Sequence, residues 1–242
     1  MKQIILDRRA LHRIPELELY LPKTMEYLAS SLSALNCRVF SPMESALCAF
    51  FDFGAGSTIA FRADCDGLPM EENTGLDFAS CHPGRMHACG HDGHMAVLLE
   101  LARRLDRKKT LPKNILLIFQ PGEESPGGAK YLCDSGLFAA FKVEAIFGLH
   151  LWPGLEAGAV FSRENELMSR SCEVNVDILG RSAHIAKASE GIDALAACME
   201  FYRRATATEQ ALPPDIFRLL KFGRMEAGTV RTTLHGGGTL VT

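Results

Sequence analysis

Residues 86–94, with the sequence MHACGHDGH, hold three histidines, a cysteine and an aspartate at the predicted start of a helix. So many polar side chains in so short a segment are hard to explain as part of a hydrophobic core. In an extended segment, residues i and i+2 face the same side, so we expect Cys89 and His91 to present a thiolate and an imidazole to one ion. Both groups are good ligands for zinc and neighbouring transition metals.

Two adjacent carboxylates, Glu123 and Glu124, follow the apolar run 115–119. Neighbouring carboxylates repel each other, and a cation lowers the cost of burying them. Because adjacent side chains point in different directions, we expect one glutamate to bind metal and the other to face a metal-bound water as a general base.

Polar side chains also follow two other apolar runs. Asp64 and Asp66 come after residues 58–62, and His150 comes after residues 145–149. The i, i+2 spacing places both aspartates on one side of the chain, which suits the orientation of a histidine ligand. Together, these groups predict a hydrolytic, dinuclear metal site.

Alternating strands and helices are predicted to position these residues. The three apolar runs are typical of buried strands. Amphipathic patterns at 94–105 and 129–138 predict a helix after each of the first two strands. This βαβαβ order indicates an α/β fold with a mainly parallel sheet, in which ligands collect at the carboxyl ends of the strands. Apolar spacings of three and four within 7–35 predict further helices on the outside.

A different pattern begins near residue 166. Apolar and polar residues alternate over 172–178, which is typical of a strand with one solvated face. This change predicts two domains, a metal-binding catalytic domain at 1–166 and a second domain at 167–242.

The second domain is predicted to contain one amphipathic helix at 192–204 and a further strand at 217–222. The glycine-rich stretch 232–242 shows no convincing element.

The composition narrows the possible partners and the location. The 242 residues are 47% hydrophobic and 23% charged, as in ordinary folded domains. A net charge of −3 gives no basic surface for nucleic acid. No apolar run approaches the roughly 18 residues of a membrane span, and the charged start lacks a signal-peptide core. We therefore expect a soluble, cytoplasmic protein without nucleic-acid or membrane partners.

Seven motifs, in this order, resemble the amidohydrolase branch of the aminoacylase/carboxypeptidase family of cocatalytic metallopeptidases. This branch includes hippurate hydrolases, indoleacetyl-amino-acid hydrolases and N-acetyldiaminopimelate deacetylases. The motifs are LHRIPE at 11–16, RADCDGLP at 62–69, MHACGHDGH at 86–94, FQPGEE at 119–124, GLH at 148–150, GRSAH at 180–184 and GRMEAGTV at 223–230.

The resemblance implies cleavage of the amide bond of N-acetyl or N-aroyl amino acids. It implies two divalent metal ions, zinc or manganese, with nickel or cobalt as further options. The positions that match metal ligands are Cys89, His91, Glu124 and His150.

The resemblance also assigns supporting roles. Glu123 matches the general base that activates the water and later protonates the leaving amine. Asp66 matches an orienting aspartate, and Asp64 occupies the neighbouring motif position. His184 matches a histidine that polarises the scissile carbonyl or binds the substrate carboxylate, in some relatives from the partner subunit. A homodimer built through an inserted α+β lid domain is therefore expected.

Family members continue well beyond the length of this chain and supply a last histidine ligand near their carboxyl end. Both domains are therefore expected to be incomplete, with His235 as a possible replacement ligand. One alternative is a catalytically inactive truncated homologue that acts at most as a metal-binding or oligomerising module. Another makes Cys89 a thiol nucleophile with His91 as its base, although the nearby carboxylates favour a metal ligand.

Overall fold

The computed structural model describes residues 2–165, 167–168, 174–213, 219–227 and 237–241. The chain divides into two compact units, Met1–Leu155 and Glu156–Thr242. The predicted domain boundary between residues 166 and 167 stays a prediction. No helix in the described part of the chain is both long and apolar enough to cross a membrane.

The first unit is a sheet covered by helices. Its elements are α1 Gln3–His12, α2 Pro22–Leu32, β1 Arg38–Phe40, β2 Leu47–Phe51, β3 Thr58–Asp64, α3 His91–Asp106, β4 Asn114–Gln120, α4 Gly128–Asp134, α5 Leu137–Ala140 and β5 Val143–Gly148.

The strand order in this sheet is β1-β2-β4-β3-β5. β3 pairs in parallel with β4 and β5, whereas β2 is antiparallel to both β1 and β4. Every strand except β2 therefore runs in one direction, and the predicted mainly parallel α/β sheet is confirmed. β1 and β2 were not predicted, and the single helix expected at 129–138 is instead two short helices, α4 and α5.

The strand register brings the predicted polar residues to one edge of the sheet. Asp64 at the end of β3 lies opposite Gln120 at the end of β4. Arg62 lies opposite Gly148 at the end of β5. The segments that follow these three strands therefore start side by side, as the carboxyl ends of parallel strands do.

The central strand β4 is buried along its whole length and separates two hydrophobic clusters. Leu117 and Phe119 contribute to the cluster that includes Met95 of α3. Leu116 contributes to the other cluster, together with Leu132 of α4. This alternation is the period-2 pattern of a strand covered on both faces.

β5 forms where the sequence predicts it but is not a buried strand. Ile146 and Phe147 are 50% and 55% exposed. Within the described residues β5 is an edge strand that pairs only with β3. The expectation of burial was wrong because an apolar run predicts a strand but does not show whether a neighbouring layer covers it.

A buried carboxylate, Asp7 of α1, joins the first three helices of this unit. It accepts hydrogen bonds from Tyr27 of α2 at 2.9 Å and from Arg103 of α3 at 2.6 Å. Burial and the Asp7 carboxylate raise the pKa of Tyr27 to about 12. Ionisation of this phenol is therefore opposed in the folded chain.

This raised pKa predicts a loss of stability at alkaline pH. Unfolded tyrosine loses its proton near its ordinary pKa of about 10, whereas Tyr27 in the folded chain holds it to about pH 12. Above pH 10 the folded state thus binds more protons, and its stability falls as pH rises toward 12. Urea denaturation at several pH values should show this fall, and Tyr27→Phe should flatten it. Equal slopes in the two proteins would contradict the assignment.

The second unit is an antiparallel sheet with one long helix. Its elements are β6 Asn175–Leu179, a 3₁₀ helix Ile185–Glu190, α6 Ala194–Ala211, β7 Arg224–Ala227 and β8 Gly237–Val241, and its strand order is β6-β8-β7. β8 is antiparallel to both neighbours. The predicted α+β character of this unit agrees with these elements.

The sequence correctly predicted some of the elements of the second unit. α6 begins at Ala194, where the Asp193 side chain accepts a hydrogen bond from Ala196 N, and extends beyond the predicted end at residue 204. The strand predicted at 217–222 is absent from 219–222, and residues 217–218 lie outside the described part. The expectation of no element over 232–242 was wrong, because β8 forms there by pairing with β6 and β7 despite its glycines.

Candidate metal centre

The imidazole of His91 lies at the centre of the predicted site. His91 is the first residue of α3 and is fully buried. Its Nδ1 donates a hydrogen bond to the Asp66 carbonyl at 2.8 Å, which in the neutral ring leaves a lone pair on Nε2. This buried Nε2 has no hydrogen-bond partner. An unpartnered buried acceptor is costly, so this atom is expected to bind a further group.

Carboxylates surround the unpartnered nitrogen. Glu124 Oε1 lies 3.8 Å from His91 Nε2 and is itself buried without a hydrogen-bond partner. Glu123 Oε2 lies 3.9 Å from the same nitrogen. These distances are too long for hydrogen bonds, but two ligands of one cation are typically separated by such distances. The residues present therefore fit a divalent metal ion.

Cys89 and His150 also lie close to His91. The Cys89 Sγ lies 3.4 Å from His150 Nε2. Donor atoms of Cys89, His91 and His150 lie within 4.8 Å of one another, as do those of His91, Glu123 and Glu124. Two donor sets that share one residue are an arrangement suited to a pair of ions.

Cys89 and His91 converge by a different route from the one expected. The sequence predicts an extended segment, but α3 already begins at His91. Gly90 precedes it with a φ of 90°, a left-handed conformation that glycine adopts without steric cost. The turn at Gly90, rather than strand alternation, brings the thiol and the imidazole to the same place.

Asp66 holds the backbone of the glutamate pair. Its Oδ1 accepts the Glu123 N–H at 2.9 Å, and its Oδ2 accepts the Glu124 N–H at 3.0 Å. The same residue binds His91 through its carbonyl. Asp66 thus lies where an orienting aspartate is expected, and that role stays a prediction.

The first unit concentrates negative charge around the thiol. Burial, together with Glu124, Glu123 and Asp64, raises the pKa of Cys89 to about 12. Burial and the neighbouring Glu124 and Asp64 also raise the pKa of Glu123. A cation at this position would relieve both effects, because it favours the charged forms of the thiol and the carboxylate.

Asp64 also borders the unpartnered nitrogen, because its Oδ2 lies 3.7 Å from His91 Nε2. Burial disfavours its charge, but a hydrogen bond from His94, together with His91 and Arg62, outweighs burial and lowers its pKa to about 2. The Arg62 Nη1 donates to Asp64 at 2.9 Å. His94 received no role from the sequence, although its i, i+3 spacing from His91 on one helix predicts that the two rings are neighbours.

The remaining predicted residues lie in the second unit. His184 is exposed and caps the 3₁₀ helix, where its Nδ1 accepts the Ala186 N–H at 3.2 Å. Its predicted role at the substrate stays a prediction. His235 lies outside the described residues.

Comparison with known proteins identifies relatives over nearly the whole chain. The sequence profile of Peptidase family M20/M25/M40 matches residues 60–233. An N-acetyldiaminopimelate deacetylase of Lactobacillus helveticus is 37% identical over 97% of this chain and 63% of its own length. One of Lactococcus lactis subsp. cremoris is 38% identical over 98% of this chain and 65% of its own length. The chain therefore spans less than two thirds of these curated relatives.

A solved structure shares the fold. The YXEP protein of Bacillus subtilis, described as a dinuclear metal-binding peptidase of the M20 family, superposes with a TM-score of 0.73 and 29% identity. The match covers 99% of this chain and 62% of that protein.

Proposed function

The chain belongs to peptidase family M20/M25/M40, and from this premise we propose that it is a metal-dependent hydrolase of the amide bond in N-acyl amino acids. The observation that carries the proposal is that His91 Nε2 and Glu124 Oε1 are both buried without a hydrogen-bond partner. His91 also belongs to both groups of donor atoms described above. The names of the related deacetylases support an acyl group as small as acetyl.

Four side chains would hold two divalent ions, namely Cys89, His91, Glu124 and His150. Thiolate and imidazole donors favour zinc, while the carboxylates also suit manganese, and nickel and cobalt accept the same mixed donor set. When bound, such ions lower the pKa of water and polarise the scissile carbonyl.

Glu123 is the proposed general base. Its carboxylate lies beside His91 and Glu124. Its side chain is 40% exposed, so both water and substrate can reach it. In this role it accepts a proton from the attacking water and later delivers that proton to the leaving amine. Asp66 fixes the Glu123 backbone, so that the carboxylate keeps its place during both transfers.

His184 is proposed to contact the substrate carbonyl or carboxylate, and the second unit is proposed to act as a lid through which two subunits associate. His184 caps the 3₁₀ helix, and its ring is exposed and therefore available to a ligand. These two statements rest on the motif GRSAH at 180–184.

Hydrolysis of N-acyl amino acids tests the proposed function. The purified chain, supplied with Zn²⁺ or Mn²⁺, is incubated with a panel of N-acetyl and N-benzoyl amino acids, and the released amine is quantified. We expect turnover of at least one compound and its loss after treatment with a chelator. No turnover in a folded, metal-loaded sample would contradict the proposal.

A second candidate is a homologue without hydrolytic activity that acts at most as a metal-binding or oligomerising module. The exposed apolar side chains of β5, Ile146 and Phe147, favour an association role for that strand. Metal binding without turnover, together with self-association in solution, would support this candidate over the hydrolase.

A further inference from the structure

The segment that carries His150 is attached to α3 by a side chain that has no assigned role. The Leu151 N–H donates a hydrogen bond to His94 Nε2 at 2.9 Å. His94 is buried, and its other ring nitrogen, Nδ1, bonds the Asp64 carboxylate. A backbone N–H can only donate, so Nε2 is the acceptor and Nδ1 carries the proton given to Asp64.

The Leu151 side chain lies against two glycines of the motif MHACGHDGH at 86–94. A β-carbon added to Gly93 would lie 2.6 Å from Leu151 Cδ1, closer than two carbon atoms can approach. A β-carbon added to Gly90 would lie 3.6 Å from the same atom. A side chain at Gly93 would therefore force the end of the Leu151 side chain to move from its present position against α3.

Leu151 in turn holds the imidazole that precedes it. The His150 Nδ1 donates to the Leu151 carbonyl at 2.7 Å, which leaves a lone pair on Nε2 in the neutral ring. That Nε2 faces the Cys89 Sγ at 3.4 Å. A chain of contacts thus runs from Asp64 through His94 and Leu151 to the donor atom of His150.

We propose that His94, supported by Asp64, is a positioning residue that fixes the His150 ring opposite Cys89 by holding Leu151 on α3. Asp64, His94, Gly93 and Leu151 are together called the latch. The inference rests on the proposed function in one respect, because it takes His150 as a metal ligand.

The same geometry separates this role from metal ligation. Donor atoms of Asp64, His91 and His94 lie within 4.8 Å of one another and could in principle hold an ion. However, both ring nitrogens of His94 already have partners, whereas His91 Nε2 has none. An ion at His94 would have to displace the Leu151 N–H, so the latch leaves His91 Nε2, and neither nitrogen of His94, to bind an ion.

The chain contains one tryptophan, Trp152, and its fluorescence can report on the mobility of the segment that carries His150 and Leu151. Trp152 follows Leu151, and its ring centroid lies 6.1 Å from that of His150. Its fluorescence anisotropy can be measured in the full, metal-free chain, so the readout depends on neither bound metal nor turnover.

Two variants release the latch in different ways. His94→Phe keeps a ring of similar size but removes both hydrogen bonds, and Gly93→Ala leaves His94 intact but displaces the end of the Leu151 side chain. Both should lower the anisotropy of Trp152. Adding Leu151→Ala to Gly93→Ala removes the steric conflict, retains the N–H and should restore the anisotropy. His82→Phe, at a half-buried histidine outside the latch, is the matched control and should leave the anisotropy unchanged.

Metal titration completes the test. In competition with a chelator, His94→Phe should bind Zn²⁺ about 10- to 100-fold more weakly, which is the usual effect of losing a residue that orients a metal ligand. The number of bound ions should be unchanged. Unchanged anisotropy in both latch variants would overturn the proposal, as would the loss of one bound ion in His94→Phe. If the anisotropy responds and no N-acyl amino acid is cleaved, the proposed function fails and the latch stands.

Discussion

Replacing Glu123 with glutamine is expected to lower the turnover of N-acyl amino acids by about 100- to 10,000-fold, the usual contribution of a positioned general base. The amide keeps the size of the side chain but cannot accept a proton. Because Glu123 is not among the proposed ligands, the metal content should remain that of the unmodified chain. The measurement compares kcat with bound metal in the same sample.

The neighbouring residue supplies the matched control. Glu124→Gln makes the same chemical change one position away, at the carboxylate whose buried Oε1 faces His91 Nε2. This variant should lose metal affinity together with activity. If Glu123→Gln retained activity, or if it lost metal as Glu124→Gln does, the division of roles between the two glutamates would be wrong.

Cys89→Ala is expected to produce the largest loss of metal affinity. Its Sγ lies 3.4 Å from His150 Nε2. Removing a ligand should lower the affinity by more than the roughly 10- to 100-fold that follows the loss of a residue that only orients a ligand. Chelator competition with Zn²⁺ measures the affinity. Cys81→Ala, at an exposed cysteine, should bind metal as the unmodified chain does.

Cys89→Ala also tests the alternative in which Cys89 is a thiol nucleophile. If Cys89 were instead a nucleophile, its replacement would abolish turnover and leave the bound metal in place. Loss of metal from Cys89→Ala therefore excludes the thiol mechanism and supports a ligand role in one experiment.

The sequence predicted the parts of the fold that depend on local patterns. Apolar runs and helical spacing located β3, β4 and α3, and the polar residues after the strands indicated where a site would form. The sequence could not predict that β4 lies between β2 and β3, because strand order depends on pairings between distant segments. It also missed β2, although Leu47–Phe51 is a short apolar run of the kind that predicts a strand.

In the candidate site, too, the sequence predicted local features but not contacts between distant segments. Residue types and motifs identified the groups that gather around His91, including the carboxylates and the thiol. Three hydrogen bonds had no sequence signal, because each joins a side chain to a distant backbone group. They are the Asp66 bonds to the N–H groups of Glu123 and Glu124 and the His94 bond to the Leu151 N–H. The sequence therefore predicted which groups lie close together around His91, whereas the hydrogen bonds that hold them are seen only in the structure.

Elemental analysis of the metal bound per chain tests whether these residues form a dinuclear centre. The protein is purified without chelator or affinity metal, supplied with Zn²⁺ or Mn²⁺, and freed of excess ion before measurement. We predict about two ions per chain, as in two-metal hydrolytic sites, and a clear decrease in Cys89→Ala. A value near zero in the folded, unmodified chain would contradict the claim that these residues form a dinuclear metal centre.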